Sequence, residues 1–375
     1  MTAFPVIPVA EPDLGPLEEQ YVLEAMRSGW VSSIGAFIDR FEKQFAELCG
    51  VKHCVALSNG TVALHVALLA RGVGPGDEVI VPDLTFVATA AAVFHAGATP
   101  VLVDVDPKTF ALDVELTKQA LTDKTRAIIP VHLYGVPAPM TALRDAVAGR
   151  DIFILEDAAE AHGARVDGKR AGGLGDAAAF SFYGNKLLTT GEGGCITTDD
   201  AALAKRIRFL KDHAMSPERR YFHPEVGFNY RMTNLQAALG CAQIERFEGM
   251  FARKLAILAE YRDAFRGTDI ELNATPPGSE PACWLVTALL PGEWTRERQT
   301  AMVSTLRRDH GVDVRPFFVP VHEMPPYAQL RFVKNEGPAR SVSEEAAVRG
   351  ICLPSSNKLT SAEISRVVHA VKSAL

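Results

Sequence analysis

From residue 51 to residue 198, short β-branched apolar runs alternate with stretches of helical spacing, and this alternation restricts the chain more than any other feature. The candidate strands are 53–57, 78–81, 100–105, 126–131, 152–156, 177–182 and 195–198, and the helical stretches between them are 62–70, 86–95, 114–121 and 140–147. Such a pattern predicts right-handed βαβ crossovers and a mainly parallel sheet covered by helices on both faces. The runs are continuously apolar, as strands buried on both sides must be. After Asp199 the pattern turns helical: 201–212, a charged and aromatic loop 216–230, and one long stretch from 235 to about 265. The last hundred residues mix strands at 284–289 and 312–315 with helices at 296–309 and 362–375, which predicts a smaller α+β domain. Residues 267–281, with three prolines and two glycines, are a plausible joint at its edge.

A chain of 375 residues is long enough for two domains and buries enough surface to need no disulfides. Its six cysteines, Cys49, Cys54, Cys195, Cys241, Cys283 and Cys352, show neither a C-x-x-C pair nor zinc spacing, so they are expected to be reduced and buried. A formal net charge of -6 repels a phosphate backbone, which argues against nucleic acid. No H-E-x-x-H occurs among the dispersed histidines, and no metal site is expected. The first fifteen residues lack a basic segment and a long apolar core, so the expected location is the cytoplasm, without membrane attachment.

Ligands of open α/β sheets bind beyond the carboxyl ends of the strands. Four such ends carry candidate chemistry. Ser58, Asn59, Gly60 and Thr61 follow a strand and open a helix, the geometry of a phosphate nest or of a plain N-cap. Neither a G-x-G-x-x-G nor a P-loop pattern is present. Glu156, Asp157 and Glu160 follow the strand at 152–155, where a buried carboxylate requires a cationic or hydrogen-bonding partner, either a ligand or a side chain such as Arg165. Lys186 lies in a glycine-flanked turn after Ser181, from which a desolvated amine could act as a nucleophile, although a surface lysine fits the same pattern. Phe86 follows the second strand as a stacking platform or as core. A phosphate nest, an acid for a ring nitrogen, an aromatic for a ring face and an amine for an aldehyde are together the four needs of pyridoxal 5'-phosphate.

With these residues in view, the sequence resembles the sugar aminotransferases of the DegT/DnrJ/EryC1/StrS family over essentially its whole length. The likeness is carried by 29–33, 58–61, 131–135, 156–160, 180–194, 226–234 and 324–327. The resemblance implies a fold type I, aspartate aminotransferase-like α/β architecture, with a large cofactor-binding domain over 1–245 and a small domain over 246–375. It implies that Lys186 bonds to the cofactor's aldehyde, Asp157 binds the pyridine nitrogen, and Glu160 lies by the ring hydroxyl, where many relatives have Gln. Gly60, Thr61 and Ser181 would hold the phosphate, joined by Asn229 of the second subunit of a homodimer. Phe86 would stack on the ring, where Trp or Tyr is common in relatives. Family members that are 3-dehydratases have His in place of Lys186, so the lysine implies transamination.

Trp30, Ser32, Arg231, Arg315 and His322 would surround the nucleotide sugar, with the loop 219–223 beside them. Within the family the resemblance is to members that aminate GDP-4-keto-6-deoxy-D-mannose at C4, with L-glutamate as donor and 2-oxoglutarate as product, in bacterial O-antigen and lipopolysaccharide synthesis. A UDP- or dTDP-linked 4-keto or 3-keto hexose is an alternative substrate. A non-catalytic regulator that merely binds cofactor or nucleotide is a further alternative, against which Lys186 and the Asp157/Glu160 pair argue.

Overall fold

The computed structural model describes residues 5–337 and 339–375. Fifteen strands form three sheets among these residues. The large sheet contains β1 (His53–Leu57), β2 (Glu78–Pro82), β3 (Thr99–Val103), β4 (Thr125–Ile128), β5 (Phe153–Asp157), β8 (Ala177–Ser181), β9 (Gly194–Thr198) and β14 (Phe332–Val333). A small ribbon joins β6 (Arg165–Val166) and β7 (Lys169–Arg170) to β11 (Ser279–Glu280). The third sheet holds β10 (Glu271–Leu272), β12 (Val286–Leu289), β13 (Arg315–Pro316) and β15 (Gly350–Leu353), with all pairs antiparallel.

The large sheet runs in the order β1-β9-β8-β5-β4-β2-β3-β14. From β8 through β14 every neighbouring pair is parallel, whereas β9 is antiparallel to both β1 and β8. It follows that β1 points the same way as β8, and that the carboxyl ends of β1, β2, β5 and β8 share one edge. Gly194, which opens β9, lies on that same edge opposite both Leu57 and Ser181. All seven strands expected between residues 53 and 198 form, with ends displaced by three residues at most.

Helices cover both faces, as a buried parallel sheet demands. On one face α3 (Gly60–Arg71), α4 (Ala88–His95) and α7 (Ala201–Lys211) pack Val66, Leu68, Val93 and Ile207 against Val55, Leu57 and Val81. On the other, α5 (Val114–Ala120) and α6 (Met140–Ala146) set Leu116 and Leu143 on Ile80, Val101 and Ile154. Beside them α2 (Ala36–Cys49) and α8 (Asn234–Glu245) cover Cys54, Ala178 and Phe180. The antiparallel sheet is backed by α9 (Phe247–Ala264), α10 (Arg296–His310) and α12 (Ser361–Ser373), through Tyr261, Leu306 and Val367. All six cysteines are buried and free.

Several details depart from expectation. The stretch 235–265 is two helices that meet at Arg246, whose guanidinium binds Asp13 and Glu18. The strand expected at 312–315 is reduced to the edge pair at Arg315–Pro316, while Val312 makes an isolated parallel bridge with Ile7 instead of joining that ladder. Two N-terminal helices, α1 (Pro16–Arg27) and α2, were not anticipated, nor were α11 (Val342–Arg349) and β15. We propose that the chain divides as expected into 1–245 and 246–375, of which residues 1–4 lie outside the described residues. The antiparallel sheet, whose strands all fall within 271–353, supports this, although β14 reaches back to the edge of the large sheet.

Candidate active site

Three of the expected residues converge where β5 and β8 end. Asp157 closes β5 with a buried side chain. Its Oδ2 accepts from Thr89 Oγ1 at 2.8 Å and its Oδ1 from the Ala159 N–H at 3.2 Å. Glu160 Oε2 accepts from the Tyr134 N–H at 2.7 Å, and its Oε1 lies 3.4 Å from Lys186 Nζ. The Lys186 amine also sits 3.7 Å above the centroid of the Trp284 ring. Arg165, the side-chain partner considered for Asp157, pairs instead with Glu280 at 3.8 Å.

Burial governs the electrostatics of this group. It pushes Asp157 above the usual carboxylate range, against the opposing pull of Thr89, the Ala159 N–H and Lys186. Glu160 is raised in the same way, against Lys186 and the Tyr134 N–H. Lys186 is lowered by the same burial, and the negative charges of Glu160 and Asp157 oppose that fall. Desolvation thus outweighs mutual attraction on both sides of the Lys186–Glu160 pair, which leaves the amine readier to lose its proton than a surface lysine.

The turn after β1 is built for close approach. Asn59 caps α3 by accepting the Val62 N–H at 3.0 Å. The N–H groups of Gly60 and Thr61, first in the helix, have no intrahelical acceptor and point out of its positive end. A Cβ on Gly60 would lie 2.9 Å from the Ser181 Cβ, so only glycine lets the turn and the end of β8 meet. The turn is thus an N-cap, and its first N–H groups are left without an intrahelical partner. An amine, a buried acid and an anion cradle at one sheet edge fit the donor set that pyridoxal 5'-phosphate requires.

Other expected residues lie further out. Phe86, 54% exposed, precedes α4, and its carbonyl accepts a long 3.3 Å contact from the Thr89 hydroxyl that also serves Asp157. Trp30 and Ser32 are exposed on a loop anchored by Asn234, which donates from Nδ2 to the Trp30 carbonyl and from its backbone to Ser32. Asn229 is exposed and accepts from Arg231 Nε at 3.0 Å, while Arg231 also pairs with Asp212. Arg315 is exposed in β13 and near enough to lower the Lys186 pKa further. His322 is engaged through Nδ1 with Asp83 at 2.7 Å, and its Nε2 lies 3.7 Å from Glu344. Asp83 holds it protonated to a higher pH than a free histidine.

Four residues of the site were not read from the sequence as functional: Thr89, Tyr134, Trp284 and His132. Glu156, next to Asp157, accepts from the backbone N–H groups of Gly172, Leu174 and Gly175 and from His132 Nε2 at 3.0 Å. The Ala138 N–H donates to His132 Nδ1, which fixes the tautomer with its proton on Nε2. Glu156 is thus saturated as an anchor, and Asp157 alone of the two faces the site.

The family model that matches the chain over residues 12–372 is the DegT/DnrJ/EryC1/StrS aminotransferase family. The GDP-perosamine synthase of Caulobacter vibrioides is 46% identical over 377 aligned positions covering all of both chains. That of Escherichia coli O157:H7 is 39% identical over 97% of each. The PLP-form of the putative sugar aminotransferase Spr1654 from Streptococcus pneumoniae superposes with a TM-score of 0.91 at 27% identity, covering 99% of this chain and all of the other. Sequence, fold and site agree, and the chain belongs to the DegT/DnrJ/EryC1/StrS aminotransferase family, as a pyridoxal-phosphate-dependent sugar aminotransferase.

Proposed function

We propose that this enzyme moves an amino group from L-glutamate to the C4 ketone of GDP-4-keto-6-deoxy-D-mannose, giving 2-oxoglutarate and GDP-perosamine. The observation that carries the choice of sugar is the end-to-end 46% identity with a GDP-perosamine synthase. We place this step in the cytoplasm, where it supplies O-antigen lipopolysaccharide; among the described residues no helix is long and apolar enough to cross a membrane. Exposed Trp30, Ile34, Tyr183, Tyr221 and Val226 supply apolar surface for a homodimer with shared active sites.

When bound, pyridoxal 5'-phosphate supplies the electron sink for the pair left when the donor's Cα–H bond breaks. In this reading Lys186 would hold the cofactor through its aldehyde and, as a free amine, would carry the proton from the donor's Cα. Asp157, buried beside it, keeps a proton on the ring nitrogen through its negative charge. Glu160 orients the ring hydroxyl and offsets the charge of the freed Lys186. Gly60, Thr61 and Ser181 hold the phosphate with Asn229 of the partner subunit, and Phe86 stacks on the ring. Trp30, Ser32, Arg231, Arg315 and His322 line the approach for the nucleotide sugar, where an arginine fork suits a pyrophosphate.

The test is spectroscopic. Glutamate should bleach the visible band of the loaded enzyme, and GDP-4-keto-6-deoxy-D-mannose should restore it. Restoration by a UDP- or dTDP-linked keto sugar instead would overturn the sugar assignment while leaving transamination intact. Lys186→Ala should abolish turnover; substantial residual turnover would remove the lysine from its role.

A further inference from the structure

Trp284 belongs to the C-terminal part of the chain, just ahead of β12, yet its buried ring lies against a lysine from the other part. Three independent features bring it there. Gly135, at φ +90°, leaves room for the incoming backbone: a Cβ on it would stand 2.8 Å from Cys283 N, 2.9 Å from Trp284 N and 3.1 Å from the Glu160 carbonyl. The Ala282 N–H donates to the Gly135 carbonyl at 2.8 Å. Cys283, between Ala282 and Trp284, takes a left-handed φ of 50°, and Tyr134, whose N–H binds Glu160, one of 54°. Non-glycine residues adopt such angles only where surrounding contacts over-determine them, and such residues cluster at functional sites.

Trp284 is held through both its ring and its backbone. Trp284 Nε1 donates to the Asn185 carbonyl at 2.8 Å, one residue before Lys186. The Trp284 carbonyl accepts from the buried amine of Lys254 at 3.0 Å. The ring stacks at 11° on Tyr134, 6.4 Å between centroids. Lys186 Nζ therefore has an aromatic face on one side at 3.7 Å and a carboxylate oxygen at 3.4 Å.

We propose that Trp284 is a positioning residue for Lys186: its indole face and the Glu160 carboxylate form a seat that holds the free ε-amine beside Asp157. A lysine side chain has many rotamers, and one that must alternate between holding a cofactor and carrying a proton gains from a single resting place. The aromatic face supplies that place by cation–π attraction without offering an acceptor that would trap the proton. The inference rests on Lys186 being the cofactor-bearing lysine.

Cofactor-free protein tests the seat directly, because an ammonium against an indole changes its emission. Tryptophan fluorescence should show a step as pH rises through the titration of Lys186, and the step should vanish in Lys186→Met and in Trp284→Phe. Among the described residues Trp294 has the non-titrating Arg298 alone over its ring, 4.0 Å from the centroid, so it gives no step of this origin. A step that persists in Lys186→Met would overturn the proposal. The second reading is the rate at which cofactor-free protein recaptures pyridoxal 5'-phosphate, followed by visible absorbance. Trp284→Leu should recapture about tenfold more slowly and Trp284→Phe within about threefold of the parent. Recapture at the parent rate in Trp284→Leu, or a Phe variant as slow as Leu, would sink the role of the ring face. Borohydride reduction of the loaded parent followed by peptide mapping separates the two failures. A label away from Lys186 removes the underlying reading, whereas a label on Lys186 with silent Trp284 variants removes only the seat.

Discussion

Thr89 Oγ1 lies 2.8 Å from Asp157 Oδ2 and 3.1 Å from Thr85 Oγ1, so a relay of two hydroxyls leads from the segment before α4 into the buried carboxylate that ends β5. The single Thr89 proton goes to the carboxylate, the closer and charged acceptor, in preference to the Phe86 carbonyl at 3.3 Å. Thr89 thereby couples the expected stacking segment to the expected ring-nitrogen acid.

Thr89→Val keeps the shape and removes that donor. Burial already raises the Asp157 pKa and the Thr89 hydrogen bond lowers it, so the variant's Asp157 pKa should rise further. A carboxyl with a higher pKa is protonated earlier as pH falls, so the acid limb of the kcat profile should move to higher pH. The lost bond to a charged acceptor, about 1.5–3 kcal/mol, corresponds to a loss of up to roughly 10- to 150-fold in kcat at neutral pH. An unmoved acid limb would mean that Asp157 does not depend on Thr89.

Glu160→Gln should act in the opposite electrostatic sense on Lys186. The negative charge of Glu160 holds the Lys186 pKa up against burial, and without it the pKa should fall. In cofactor-free protein, half-maximal modification of Lys186 by an amine-reactive reagent should therefore occur at lower pH. The amide oxygen can still accept the Tyr134 N–H, so turnover should stay within about tenfold of the parent. A shift to higher pH would contradict the pairing of Glu160 with Lys186.

Lys254 makes a prediction about stability. Its amine is buried, donates to the Trp284 and Ser355 carbonyls, and is pushed down from 10.5 to about 8 by desolvation. Below pH 8 both folded and unfolded chains hold the proton, and the full cost of burying the charge is present. Between about 8 and 10.5 the folded chain releases it while the unfolded chain keeps it, so this group's contribution to stability improves as pH rises. The gain is at most about 3 kcal/mol across that window. Urea midpoints of the parent should therefore climb relative to those of Lys254→Met from pH 8 to pH 10, and parallel curves would show that Lys254 titrates normally.

What was legible in the sequence follows from range. Strands β1 to β5 declare themselves through local apolar runs, and Asp157, Ser181 and the 58–61 turn are legible because they end or immediately follow strands at one sheet edge. Phe37, Phe41 and Phe45, spaced by four, carry a helical signal for α2. Trp284 and Thr89 had no such signal, since one reaches the site across 98 residues from Lys186 and the other depends on a contact 68 residues away. Glu156 and Asp157 show the limit from the other side. Two adjacent acids look alike in sequence, and only the three-dimensional course of 172–175 shows that the first is consumed by backbone N–H groups and His132.

Gly194 offers the sharpest test of the anion cradle. It opens β9 between Leu57 and Ser181, and a Cβ there would lie 2.3 Å from the Asn59 carbonyl carbon and oxygen and 2.8 Å from Gly60 N. All three are backbone atoms, so no side-chain rotation relieves the clash and the turn itself must move. Gly194→Ala should therefore weaken pyridoxal 5'-phosphate binding by about ten- to a hundredfold, because the displaced N–H groups no longer converge on the phosphate. Pyridoxal without its phosphate does not use the turn, so its affinity should change by less than about threefold. Titration of both compounds into cofactor-free parent and variant separates the cases. Equal weakening of the two would place the damage at Asp157 and Lys186 and remove the phosphate from the 58–61 turn.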